Sequence, residues 1–207
     1  MQESYVDYSK CKCGVSGSKK GVSGVRFNLS PMSDDYIDII LGGLAKVDTS
    51  KVWKNTDETS TVYRSDRSAI FDCIKAFYKA CYKKGVHMNL NATFSKGCPG
   101  DKDADYTLND DNYKVNEEKF KDIHFPITGK FALYIFGENS YMEKIEKVVN
   151  MGVDRKVISG TGHYTTFLKG DVDDMFSYLE DIFEYLEKEV SHFVIETSLL
   201  VNLPEEE

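Results

Sequence analysis

The segment Ala69-Ile70-Phe71-Asp72-Cys73-Ile74-Lys75-Ala76-Phe77-Tyr78-Lys79-Ala80-Cys81 sets apolar side chains at 70, 71, 74, 77, 78 and 81. That is the i, i+3, i+4, i+7 spacing of one buried helical stripe. A shift of 105 residues carries these six onto Met175, Phe176, Leu179, Ile182, Phe183 and Leu186, all apolar. It also carries Thr61 onto Thr166, His87 onto His192 and Phe94 onto Leu199. Upstream, Val25-Arg26-Phe27-Asn28-Leu29 matches Gly129-Lys130-Phe131-Ala132-Leu133 with a shift of 104, so one insertion or deletion lies between. Agreement in flanking strands as well as in the helix makes an internal duplication the better reading than two chance stripes.

Working outward, each copy reads as β-α-β-β-α-β. In the first, 24–30 alternates as a strand, Ser33 offers an N-cap before Asp34 and Asp35, and Tyr36, Ile37, Ile40, Leu41 and Leu44 form a stripe. A hairpin at 51–55 and 59–64, a helix at 66–84 and a strand at 86–95 complete it. The second copy follows over 129–136, 140–151, 156–159, 162–168, 171–190 and 192–202, with Gly160-Thr161-Gly162 in the hairpin turn and Asp171 with Asp174 as a capping pair. The fold class is therefore α+β: two tandem ferredoxin-like repeats with antiparallel sheets and helices on one face. The domain reading is an N-terminal extension at 1–21, a first repeat at 22–95, a connector at 96–125 and a second repeat at 126–204.

Composition narrows the partners. The 207 residues hold 41% apolar and 13% aromatic side chains, enough for a real core. Lys plus Arg 26 against Asp plus Glu 34 gives a net charge of −8, the wrong sign for a protein that tracks nucleic-acid phosphates. No run approaches the ~20 apolar residues of a membrane span. The first residues, Met1-Gln2-Glu3-Ser4-Tyr5, lack a secretion signal, and five cysteines do not make a disulfide framework, so a cytoplasmic protein is expected.

Strand alternation divides each sheet into two faces. The helix side takes Phe27, Leu29, Val62, Leu90, Ala92 and Phe94. The open side of the first repeat takes Arg26, Asn28, Thr61, Tyr63, Asn91 and Thr93; that of the second takes Lys130, Tyr134, Tyr164, Thr166, Glu196 and Ser198. A solvated polar face with no function attached is the commoner meaning of such a pattern. The tyrosines, wasteful in plain solvent, and the mixed donors and acceptors argue for a site where a planar heterocycle stacks and hydrogen-bonds. A positively charged ring would gain about 0.5–2 kcal/mol more from an aromatic face.

Other constellations are weaker. Cys11 and Cys13 lack a second Cys/His pair, so no metal is expected. Asp101, Asp103 and Asp105 open like a calcium loop, but Tyr106 and Asn112 stand where Gly and Glu belong. The eight carboxylates of 171–189 read as the wet side of a helix. His163 beside Tyr164 suits a ligand contact, and His87 and His192 look structural.

Several blocks in fixed order resemble the YkoF family. They are Phe27-Asn28-Leu29-Ser30-Pro31-Met32-Ser33-Asp34-Asp35-Tyr36, Asp48-Thr49-Ser50-Lys51-Val52-Trp53, Asn91-Ala92-Thr93-Phe94-Ser95, Gly97-Cys98-Pro99-Gly100-Asp101, Val115-Asn116-Glu117, Phe131-Ala132-Leu133-Tyr134, His163-Tyr164 and Asp174-Met175-Phe176-Ser177-Tyr178-Leu179-Glu180. The resemblance covers about residues 22 to 203. It implies two ferredoxin-like repeats, a homodimer, and binding of thiamin or its hydroxymethylpyrimidine moiety without catalysis or a cofactor, beside a thiamin or pyrimidine transporter. One ligand site per repeat is implied, at Leu29 with Thr61, and at Tyr134 with Tyr164 and Thr166. Leu29 would act through its backbone. Arg26, Asn91 and Thr93 join them from the strand-face argument. Tyr134-Ile135-Phe136 replaces the family's Tyr-Pro-Met, so the second site should differ in affinity. Two other classes stay open: an enzyme on a related heterocycle with His163 or Glu196 as acid/base, and a regulatory or assembly module whose sheet faces bury a partner.

Overall fold

A computed structural model describes residues 22–96, 107–108 and 113–204. Its elements run β1 (Ser23–Pro31), α1 (Tyr36–Leu44), β2 (Trp53–Thr56), β3 (Thr61–Ser65), α2 (Arg67–Cys81), β4 (Met88–Lys96), α3 (Glu117–Phe120), β5 (Pro126–Ile135), α4 (Tyr141–Asp154), β6 (Ile158–Gly162), β7 (Thr165–Asp171), α5 (Val172–Glu189) and β8 (Phe193–Val201). Both copies are β-α-β-β-α-β, so the α+β tandem reading holds. The N-terminal extension with Cys11 and Cys13, Cys98 and the calcium-like loop lie outside the described residues.

All eight strands form one antiparallel sheet in the order β2-β3-β1-β4-β8-β5-β7-β6. The two units join through their last strands, with Met88 opposite Val201 and Lys96 opposite Phe193. Ala92 faces Thr197 at the middle of this seam, and those two residues are themselves 105 apart. An internal twofold relation thus passes through that pair, where Thr197 Oγ1 donates to Ala92 O at 3.1 Å. Glycine permits the neighbouring β5–β8 approach: a Cβ at Gly129 would lie 2.5 Å from Ser198 O.

The duplicated stripes of α2 and α5 meet over this seam. Phe71 stacks on Phe94 at 4.7 Å and meets Phe183 edge-on at 5.8 Å. Tyr78 Oη, from the first repeat, donates to Leu199 O of the second at 2.9 Å. The repeats therefore share one core. Burial of these stripes supplies the main driving force, about 25 cal/mol per Å² of apolar surface. Asp66 and Asp171 cap the two helices, accepting from Ser68 N at 2.8 Å and Asp173 N at 2.9 Å.

Several local expectations are corrected. Helix α1 starts at Tyr36 after a turn, with Asp35 rather than Ser33 at its N-cap position. Gly160-Thr161-Gly162 belongs to β6, not to the turn, because Phe167 of β7 lies over Gly160 and Gly162 and fills the space their missing side chains leave. The connector ends in α3, and Asn116 before it is a latch. Its Nδ2 donates to Asp48 O at 2.9 Å and to Asp72 Oδ2 at 2.8 Å, while its Oδ1 accepts from Asp48 N at 2.8 Å. The acidic side of α5 is not simply wet: Arg67 of α2 lies 2.7 Å from Glu187, 3.6 Å from Glu184 and 3.8 Å from Glu180.

The register of β3 and β7 is the largest correction. Residues directly opposite in an antiparallel ladder share a face. Tyr63 pairs with Val25, Thr61 with Phe27 and Thr166 with Phe131, all core residues of β1 and β5. Thr61, Tyr63 and Thr166 therefore face the helices, and Val62 and Phe167 take the open side.

Candidate functional site

The open face carries a concavity of about 430 Å³ over β4, β8 and β5, walled at one end by the β6–β7 turn. Its size falls in the range of small-molecule sites. Short residues make the floor. Glu196 stands between Thr93 of β4 and Ala132 of β5, its two ladder partners, and rises above both. Asn91 is opposite Ser198, whose hydroxyl donates to Asn91 Oδ1 at 2.9 Å; Asn89 Nδ2 reaches the same oxygen at 3.3 Å. Lys130 sits one ladder step away, opposite Ser198.

Aromatic rings stand around this floor. Tyr134, 45% exposed, projects from the end of β5. Glu196 pushes the Tyr134 phenol above its ordinary value, mainly through its negative charge, with a smaller contribution from burial. Tyr134 is thus a neutral donor beside a carboxylate. Tyr164 is 96% exposed and sits in the turn with φ of 65°, a left-handed conformation rare for a bulky residue. His163 packs against it with ring centroids 6.2 Å apart. Together these groups offer faces for stacking, one carboxylate, and hydroxyl and amide donors and acceptors.

Of the eight residues expected at a site, Asn91, Thr93, Tyr134 and Tyr164 come together here. Arg26 is on the same face but is drawn to the β2–β3 turn, where Nη1 lies 2.7 Å from Asp57 Oδ2 and 2.6 Å from Ser60 Oγ. That guanidinium holds the Asp57 carboxyl well below the usual range. Leu29, Thr61 and Thr166 are on the helix side. Thr61 and Thr166 are 7% and 9% exposed, and Thr61 Oγ1 lies 3.0 Å from Thr56 Oγ1. Lys130, Glu196 and Ser198 also line the concavity, on the open face where strand alternation put them without marking them as site residues. Ala132 and Thr165 went unnoticed, since a floor residue is marked by smallness alone.

The other candidates are structural. His87 Nδ1 lies 2.9 Å from Val201 O, and His192 packs on Phe136. His124, Asp171 and Asp173 cluster closely, but Lys79 Nζ already sits 2.7 Å from Asp173 Oδ1, where it opposes a cation. Among the described residues, no helix is long and apolar enough to cross a membrane.

Fold and concavity define a class: an α+β chain of two tandem ferredoxin-like units with a small-molecule-sized hollow on the shared sheet. The YKOF-related Family matches residues 22–101 and 127–206, two blocks offset by the same 105 residues as the repeat, and the chain belongs to that family. A particular relative is the Bacillus subtilis (strain 168) protein named "Putative HMP/thiamine-binding protein YkoF". It is 38% identical over 192 residues, covering 93% of this chain and 94% of the relative.

Proposed function

We propose that this chain binds thiamine or its hydroxymethylpyrimidine moiety (HMP) without transforming it, and that the open-face concavity holds the ligand. The observation that carries the reading is the joining of Tyr134, Tyr164 and Glu196 around a floor of Asn91, Thr93, Ala132 and Ser198. A flat ring stacks on the tyrosines, its amino group donates to Glu196 or Asn91, and its ring nitrogens accept from hydroxyls. The name of the Bacillus subtilis relative supports both the ligand class and binding rather than catalysis. A cytoplasmic role beside a thiamine or pyrimidine uptake system, acting as a homodimer, completes the reading.

A second location has one observation behind it. Thr61 and Thr166 occupy repeat-equivalent places on the helix side, nearly buried, each opposite a core phenylalanine, Phe27 or Phe131, with Leu29 or Leu133 two residues further along that strand. Titration calorimetry at tens of micromolar protein separates the two. Tyr134→Ala is expected to weaken thiamine binding about tenfold, on the scale of one lost aromatic contact, with Thr61→Val and Thr166→Val staying within about twofold. The reverse pattern moves the site beneath the helices. No heat from either compound ends the proposal.

A further inference from the structure

We infer that Glu196 makes the concavity a charge selector, favouring a singly positive heteroaromatic ring over a neutral one and rejecting phosphorylated forms. This rests on the binding reading above and specifies which ligands that site takes.

Position comes first. Glu196 is exposed at the centre of the hollow, between two short ladder partners, so any ring lying on Thr93 and Ala132 is in contact with its carboxylate. Among the described residues, no cationic side chain stands within 4 Å of that carboxylate. The Tyr134 phenol stands beside it, and because the same charge keeps that phenol protonated, Tyr134 adds a dipole and no countercharge. A cationic ring supplies what is missing. It also gains from the faces of Tyr134 and Tyr164, whose quadrupoles attract positive charge.

A phosphate ester meets the opposite environment. Phosphate sites are built from helix N-termini, backbone nests or arginine forks. Here the lining is strand and turn, and Lys130 is its one basic residue apart from His163 among the described residues. Arg26, which could reach an anion on this face, is spent on Asp57 and Ser60. A dianion would sit against Glu196 in a chain of net charge −8.

The test titrates wild type, Glu196→Gln and Lys130→Met with thiamine, hydroxymethylpyrimidine and thiamine monophosphate. Wild type is expected to rank them in that order. Glu196→Gln keeps shape and hydrogen bonding, so thiamine should weaken about five- to tenfold and the neutral pyrimidine less than about twofold. The monophosphate should tighten about threefold in the same variant, and Lys130→Met should weaken it further. Added salt should narrow the thiamine preference in wild type and leave Glu196→Gln unmoved. If Glu196→Gln shifts thiamine and the pyrimidine equally, or the monophosphate binds wild type as well as thiamine does, the selector is overturned and the binding reading stands. Silence from all three ligands on wild type removes the binding reading and the selector with it.

Discussion

The two repeats pack the same sheet-to-helix layer from opposite sides. In the first, the sheet supplies the large residue, Tyr63, and α2 the small one, Cys73. In the second, the equivalent positions are reversed: the sheet supplies Leu168 and α5 supplies Tyr178. All four are fully buried, so each repeat fills this layer with one tyrosine, taken from the sheet in the first and from the helix in the second. The hydroxyls fare differently. Tyr178 Oη donates to Val148 O of α4 at 2.9 Å, whereas Tyr63 Oη is buried with no partner among the described residues. A duplicated core can thus keep its packing and lose polar satisfaction in one copy.

Removing the ring from the second repeat should break this comparison most visibly. Tyr178→Ala opens a cavity next to Gly152, whose lack of a side chain lets α4 rest on that ring, and should cost about 3–5 kcal/mol in urea unfolding. A cost below about 1.5 kcal/mol would show that α4 simply collapses onto the sheet.

The first repeat has a device with no counterpart among the described residues of the second, the connector latch. Asn116→Ala strips hydrogen bonds from Asp48 and leaves Asp72 buried with fewer donors, an expected loss of about 2–3 kcal/mol. In the second repeat the residue equivalent to Asp72 is Ser177, which bonds Arg155 on the surface at 3.0 Å. Asp72 sharpens the contrast through pH. Burial is the main cause raising its carboxyl, so as pH climbs past about 4 the unfolded chain releases this proton first. Folded stability from Asp72 is therefore greatest below that point and is lost as pH rises through the raised value. Asp72→Asn should look better against wild type at pH 7 than at pH 4 in matched urea titrations. Asp48, lowered chiefly by its Ser50 bonds, acts with the opposite sign and loses its contribution as pH falls.

The hydroxyl asymmetry predicts two substitutions of the same chemistry with opposite outcomes. Tyr178→Phe forfeits a buried bond and should cost about 1 kcal/mol, while Tyr63→Phe removes an orphaned hydroxyl and should be neutral or stabilising by up to about 1 kcal/mol. Equal losses at both positions, read from melting temperatures, would mean that Tyr63 Oη has a partner in solution.

What could be read in advance follows from where the constraint is strong. The helices were legible because α2 and α5 are buried along a wide stripe, and their 105-residue offset fixed the duplication. Strands β1, β4, β5 and β8 were legible because their alternation is clean over nine or ten residues. Strand β3, only five residues long, offers Val62 and Tyr63 as rival inward residues, and a one-residue slip inverts every side chain. The packing chose Tyr63 because Cys73 opposite is small, a fact of three dimensions with no local signal. Thr166 and Phe167 were inverted for a like reason, since Phe167 is needed over the glycines of β6. Asn91, Thr93, Tyr134 and Tyr164 reached the concavity from β4, β5 and the turn; Thr61 and Thr166, read from β3 and β7, were inverted, while Arg26 and Leu29 of β1 stand outside it, one drawn to Asp57 and the other on the helix side.

The smallest effect concerns the turn that distinguishes the second repeat's open face from the first. The place of His163-Tyr164 is taken in the first repeat by Glu58-Thr59, where Thr59 Oγ1 donates to Asp57 Oδ1 at 2.8 Å and Arg26 ties Asp57 to β1. Tyr164 instead holds a left-handed conformation and leaves its ring in solvent, which costs about 1 kcal/mol of backbone strain. Glycine adopts that conformation freely, so Tyr164→Gly should be stable to within about 0.5–1 kcal/mol of wild type, on the favourable side. The same change removes a stacking face and should weaken thiamine about threefold to fivefold. A gain in stability with a loss in affinity identifies the strain as retained for the ligand. Unchanged affinity would assign Tyr164 to the surface and leave Tyr134 as the aromatic wall of the hollow.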